Sequence, residues 1–377
     1  MNDTHTLNGS KTADGELAHF AGANSGKGFC GFYGEIFGSR DIVRRYLLKG
    51  GPGTGKSSFM RSVAERAQKA GYDSRYYRCS SDYTSLDAVI IGGRIAVIDA
   101  TAPHSLEPEL VGAKDVLVDL GQFWDADALF LERQEIERLC NKKSAAYTGA
   151  YRFLEGALAL DTRLRELGES FIKWHKLRGA VARIAKKIPS GVGYSLHVGI
   201  CNSIGMKGKH RLEGYEQAAQ KIYLIDDCMR TANTFLACLA QKAQERGNTI
   251  LVSYDPVNTS AIDALLFEEG GVAFVISDGV DSEKYAEKIE CRINMKRFLQ
   301  SFCRASDEEK RKKAEARYAK RVYDGLLDSA VECLHSAGEA HFALEKIYGS
   351  CMYFDAESRF CASIAEQRCR ELDGMTK

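Results

Sequence analysis

Between residues 50 and 57 the chain reads Gly-Gly-Pro-Gly-Thr-Gly-Lys-Ser, a run that fits G-x-x-x-x-G-K-[ST]. Few short motifs restrict a fold as much. A short apolar run, Arg45–Lys49 (RYLLK), precedes it, and a stretch of helical periodicity, Lys56–Ala70, follows it, with Gly71 as a stop. Strand, glycine-rich loop and helix in that order predict an α/β unit whose loop leaves the carboxyl end of a strand. The glycines let consecutive backbone N–H groups point inward, and the helix start adds the positive end of its dipole, so the loop suits phosphate. On this reading Gly50, Gly51, Pro52, Gly53, Thr54 and Gly55 form the cradle. Lys56 reaches the β- and γ-phosphates, Ser57 ligates Mg²⁺, and Ser58 reaches the α-phosphate region. The expected cofactors are ATP and Mg²⁺.

A second carboxylate belongs to such a site. Ile95–Asp99 (IAVID) is an apolar run ending in an acid, as a buried parallel strand does, and Asp99 is the expected metal-side carboxylate. Fast hydrolases of this kind place a Glu directly after that Asp, but here Ala100 follows. Asp82, in the loop after the strand Ser74–Cys79, is the preferred substitute for positioning water, ahead of His104 and Glu107. Lys49 is expected to end its strand in solvent, since the loop has the ordinary length and needs no extra lysine.

The pattern recurs. Displacing the sequence by 176 residues lays Arg45–Ile91 on Lys221–Phe267 without a gap and with eight identities, including Phe59/Phe235, Ala64/Ala240, Ala67/Ala243, Gly71/Gly247 and Asp87/Asp263. A strand at 222–225, a helix over Arg230–Arg246, a strand over Thr249–Ser253 and another over Val272–Ser277 repeat the first order, the last after an insertion of one or two residues. The paired alanines, three apart, predict a helix lying close on a sheet. The second copy lacks the loop. Asp226-Asp227-Cys228-Met229-Arg230-Thr231-Ala232-Asn233 holds no glycine, Ala232 stands for Lys56, and two carboxylates stand where phosphate would enter. One nucleotide site is therefore expected, and Arg230 is a candidate to reach it across the interface.

Glu132–Lys143 and Tyr151–Lys187, and later Ser306–Leu372, are rich in helix formers without strand signals, and the first pair reads as a helical hairpin. The organisation expected is a flexible tail over 1–15, an α/β domain over 16–190 with a helical extension over about 125–188, and a degenerate copy over 191–377 with helices over about 306–372. The turn cluster Pro189–Gly193 marks the boundary. The basic run Lys310–Lys313 follows Asp307–Glu309 and reads as a solvated helix.

The chain has 52 basic and 51 acidic side chains, so its balance gives no reason to expect nucleic-acid or membrane partners. Its 12 cysteines fall in no metal-binding spacing, and no run approaches transmembrane length, which fits a cytoplasmic protein with reduced thiols.

Four stretches, FAGANSGKGF (20–29), KGGPGTGKSS (49–58), CSSDYTSLD (79–87) and IDATAPH (98–104), resemble a poorly characterised family of bacterial ATPases built from tandem P-loop domains. The resemblance covers nearly the whole chain and is strongest over 20–125. It implies a duplicated P-loop NTPase fold, a parallel sheet with flanking helices, and ATP binding. In that family both halves tend to carry a phosphate loop, a pattern from which this second half departs. The expected function is a Mg-dependent ATP hydrolase or ATP-driven switch. The alternatives are a nucleotide or small-molecule kinase acting on an unknown acceptor, and a non-hydrolysing nucleotide sensor with an unknown protein partner.

Overall fold

The structure, a computed structural model, describes residues 17–103, 106–300 and 306–375. The expected tail over 1–15 and His104 lie outside the described residues.

The first half builds β1 (Leu17–Phe20), a small hairpin β2 (Gly22–Ser25) and β3 (Gly28–Gly31), and α1 (Tyr33–Phe37). There follow β4 (Arg44–Lys49), α2 (Lys56–Lys69), β5 (Ser74–Arg78), β6 (Leu86–Ile91), β7 (Ile95–Asp99) and β8 (Asp115–Asp119). Three helices close it: α3 (Ala126–Leu131), α4 (Arg133–Glu169) and α5 (Trp174–Ala185). The second half repeats this order with β9 (Ser195–Val198), β10 (Asn202–Gly205), β11 (Gly208–Arg211) and α6 (Gly214–Ala218). It continues with β12 (Lys221–Asp226), α7 (Thr231–Glu245), β13 (Thr249–Tyr254), β14 (Ile262–Phe267), β15 (Val272–Ile276) and β16 (Ile289–Asn294), then α8 (Asp307–Ser350) and α9 (Phe354–Met375).

Each half holds one six-stranded sheet, ordered β1-β5-β6-β7-β4-β8 and, read from its other edge, β9-β13-β14-β15-β12-β16. The two orders are the same, so the chain is a duplicated α/β fold. The sheets are mixed rather than parallel throughout, because β6 and β14 run antiparallel to both neighbours. The cause is local. Gly92 and Gly93, with φ of 55° and 65°, make a turn before Ile95 that is too short for a parallel crossover.

Ladder registers locate the repeat residue by residue. Arg44 pairs with Ile95 and Lys221 with Val272, so β4 and β7 match β12 and β15 at a displacement of 177, which sets Tyr46 on Tyr223 and Leu47 on Leu224. The helices and β5–β6 keep 176: the Ser57 hydroxyl contacts the Leu86 backbone, and the Asn233 amide donates to the Ile262 carbonyl. The ungapped match is thus corrected twice. The loop before α7 is one residue shorter than the one before α2, and the turn before β15 is one residue longer than the turn before β7. Ala64, Ala67 and Ala243 are fully buried, as their spacing predicts, while Ala240 is only partly buried.

The expected helical hairpin is instead one continuous helix of 37 residues, broken only over Ser170–Lys173 before the short α5. Gly149 does not interrupt it, because that face packs tightly and a Cβ there would come 3.3 Å from the Cys333 sulfur. Helix α4 lies antiparallel to the 44-residue α8, with Leu139 near Leu344, Leu154 near Leu327 and Leu334, and Leu164 near Ala316. At 1.5 Å per residue these helices span roughly 55 and 65 Å, far beyond either sheet. They carry the short terminal helices across the molecule. Phe171, Leu177 and Val181 are buried in the second half's core beside Phe235 and Leu239, while Cys361 is buried with Phe59 and Val63 of the first. Each half therefore covers the other half's first long helix. No helix among the described residues is long and apolar enough to cross a membrane.

Candidate functional site

The glycine-rich loop joins β4 to α2 as its sequence requires. Gly53 and Gly55 take φ of 72° and 78°, the left-handed region where a side chain costs energy. Thr54 is buried, and its hydroxyl donates to the Gly51 carbonyl at 2.9 Å. Lys56 folds back over the loop. Its Nζ donates to the carbonyls of Gly50 and Gly51 at 2.8 and 2.7 Å and stands 3.6 Å from Asp99 Oδ2. Asp99 is brought there by strand order, since β7 pairs in parallel with β4 and sets Asp99 opposite Leu48. The other Asp99 oxygen accepts from the Thr101 backbone N–H and hydroxyl. Ser57 accepts from the Leu86 N–H at 3.0 Å, and Ser58 is exposed at the start of α2. Pro52 is half-buried at the loop's outer turn. A hydroxyl and a carboxylate are hard oxygen donors of the kind Mg²⁺ takes, so Ser57 and Asp99 fit such an ion in donor chemistry.

The other expected residues are held by other partners. Asp82 accepts from the Thr84 hydroxyl at 2.7 Å and from Lys207 Nζ at 2.8 Å, so it ties the β5–β6 loop to the second half's hairpin. Burial raises its carboxyl, but the Lys207 and Thr84 donors outweigh burial and its pKa lies below the ordinary value. Glu107 is 3.6 Å from Lys49, and that lysine also donates to the Ala100 carbonyl, so Lys49 is half-buried rather than solvated. Arg230 does not reach the first loop. It is bound 2.8 Å from Asp161 Oδ1 of α4, near Asp255, with its guanidinium 4.8 Å from the Tyr323 ring centroid.

Sequence reasoning missed the roof of the loop. A Cβ at Gly53 would come 2.7 Å from the Glu345 carbonyl of α8, and one at Gly51 would come 3.1 Å from the Trp124 ring. A Cβ at Gly55 would come 2.9 Å from Glu357 Oε1 of α9. The glycines thus also permit the second half's helices to approach. Glu357 is buried, with Cys361 Sγ donating to its Oε1 at 2.9 Å, and burial pushes that thiol up. One signal in the sequence could have found it. At a displacement of 180, Leu154, Ala157 and Leu164 fall on Leu334, Ala337 and Leu344, and Glu357 falls on the core residue Leu177.

The second half's loop is filled from within. Asp227 accepts from the backbone N–H groups of Arg230 and Ala232 at 3.0 and 2.9 Å, so a carboxylate of the chain occupies the N–H cradle ahead of α7. Asp99 has no acidic counterpart, since Ile276 takes its place on β15. Comparison with protein-family models, with curated proteins and with solved structures finds no match to this chain.

Proposed function

We propose that the chain binds one Mg-nucleoside triphosphate, ATP, at Gly50–Ser57 in a P-loop NTPase-like first half, and acts as a slow hydrolase or ATP-driven switch. One observation carries the reading: Lys56 is held between the Gly50 and Gly51 carbonyls and Asp99, at the carboxyl ends of two adjacent parallel strands. Backbone N–H groups of the loop would take the phosphates, Lys56 would move onto the β- and γ-oxygens, and Ser57 and Asp99 would hold the ion, which neutralises phosphate charge when bound. The residue after Asp99 is the buried Ala100, so β7 supplies no carboxylate to orient water, and turnover is slow. A switch is favoured over a kinase because α8 and α9, which belong to the other half, reach over the loop at Gly53 and Gly55.

The test is phosphate release from ATP with Mg²⁺ by wild type and Lys56→Ala, alongside calorimetric binding of ATP to both. Release by wild type alone supports the hydrolase. Tight binding without release leaves the switch and removes hydrolysis from it. Equal binding by wild type and Lys56→Ala overturns the site.

A further inference from the structure

The second half carries a cavity of about 1630 Å³ at the carboxyl ends of β12, β13 and β15. In parallel α/β sheets this is the end that receives ligands. Sites for drug-sized molecules measure roughly 300–1,000 Å³, so the space accommodates a ligand of nucleotide size or larger. Its walls are unevenly charged. Lys313, Arg317 and Arg321 line it at four-residue intervals along α8 and so share one helix face. Lys209 of β11 lines it as well, and among the described residues neither Lys209 nor Arg317 has an ion-pair partner. Deeper in, Arg211 is 10% exposed and its Nε has no hydrogen-bond partner among the described residues.

The carboxylates along the wall are mostly engaged. Asp227 holds its own loop, Asp255 accepts from the Val257 and Asn258 N–H groups, Asp324 pairs with Lys320, and Asp263 accepts from the Asn202 amide. Burial pushes the Asp263 carboxyl up. Asp278 also lines the cavity. With the backbone cradle occupied by Asp227, recognition of an anion here falls to side chains.

We propose that this cavity is a second ligand site, for a small molecule bearing two or more anionic groups, gripped by Lys209, Lys313, Arg317 and Arg321. The proposal does not depend on nucleotide binding by the first half. It is tested on the full chain carrying Lys56→Ala, so that the first loop contributes little, by calorimetric titration with inorganic tripolyphosphate. Binding is expected, weakening with added salt and falling at least about tenfold in Lys209→Glu/Arg317→Glu, with Lys209→Ala/Arg317→Ala in between. Lys209 and Arg317 are both exposed, so the variants are expected to fold, which thermal melts check. A flat titration to about 10 mM, or equal affinity in the charge-reversed chain, overturns the site. Tighter binding of a single-stranded oligonucleotide that displaces tripolyphosphate overturns the small-molecule assignment.

Discussion

Phe20 and Ile200 hydrogen-bond to each other in both directions, the Phe20 N–H donating to the Ile200 carbonyl at 2.7 Å and the Ile200 N–H to the Phe20 carbonyl at 3.1 Å. The two residues occupy the same place in the two halves, so this antiparallel bridge lies on the pseudo-twofold axis. It joins the end of one sheet's edge strand to the chain just after the other sheet's edge strand. The same symmetry recurs further out. The Met206 N–H donates to the Ser81 carbonyl at 2.7 Å, and its counterpart at Gly26 donates to Val257 at 3.0 Å.

Ile200→Pro deletes one of the two bridging donors and leaves the Phe20 carbonyl buried without it. A loss of about 2–3 kcal/mol is expected, read by urea denaturation. An unchanged midpoint would show that the bridge does not couple the halves.

Glu357 places a buried carboxylate against Gly55, where it opposes a triphosphate in the loop. Glu357→Gln keeps the shape and removes the charge, and ATP affinity is expected to rise about tenfold in calorimetry, roughly the effect of one partly screened contact. If affinity stays the same and phosphate release falls, Glu357 serves turnover instead of opposing binding.

His19 contributes to the pH response. It is fully buried against Tyr215, with ring centroids 5.6 Å apart, and neither ring nitrogen has a hydrogen-bond partner among the described residues. Burial lowers its pKa from 6.5 to about 3, with the Arg75 charge adding to the effect. Below pH 6.5 the unfolded chain takes up a proton that the folded chain refuses, so stability falls as pH falls. The expected slope is about 1.4 kcal/mol per pH unit from this group between those two values. His19→Phe should flatten that slope in denaturation curves at pH 7, 6 and 5, and a slope unaltered by the substitution would assign it to other groups.

Asp161 of α4 is fully buried and serves three partners: Arg230 at 2.8 Å, Arg165 at 2.9 Å and Asn258 at 2.8 Å. Two of these belong to the second half. Asp161→Ala strands a mostly buried guanidinium, and a loss of about 3–5 kcal/mol is expected in chemical denaturation. Asp161→Ala/Arg230→Met should recover much of it, and failure to recover would mean that Arg165 and Asn258 carry the cost.

How much of this was legible beforehand follows sequence separation. The strand before Gly50 and the helix after Ser57 were readable because strand and helix periodicities are local. Asp99 was readable because an apolar run ending in Asp has few places to go beside β4. Strand β6 escaped because Asp87 interrupts its run LDAVII, whereas the equally buried β7 opens on four unbroken apolar residues. The continuity of α4 through Gly149 was hidden because the contact that tolerates glycine there comes from α8.

By itself, then, the sequence determined the local elements, the glycine-rich turn and the duplication, since each is encoded within a few tens of residues by propensity, periodicity and spacing. Only the tertiary structure decided that the helices exchange between halves, that Glu357 roofs the loop and that a basic cavity opens at the carboxyl ends of the second sheet's strands. Those outcomes depend on groups up to about 300 residues apart meeting at 3 Å, and packing across such separations leaves no pattern in any one window of sequence.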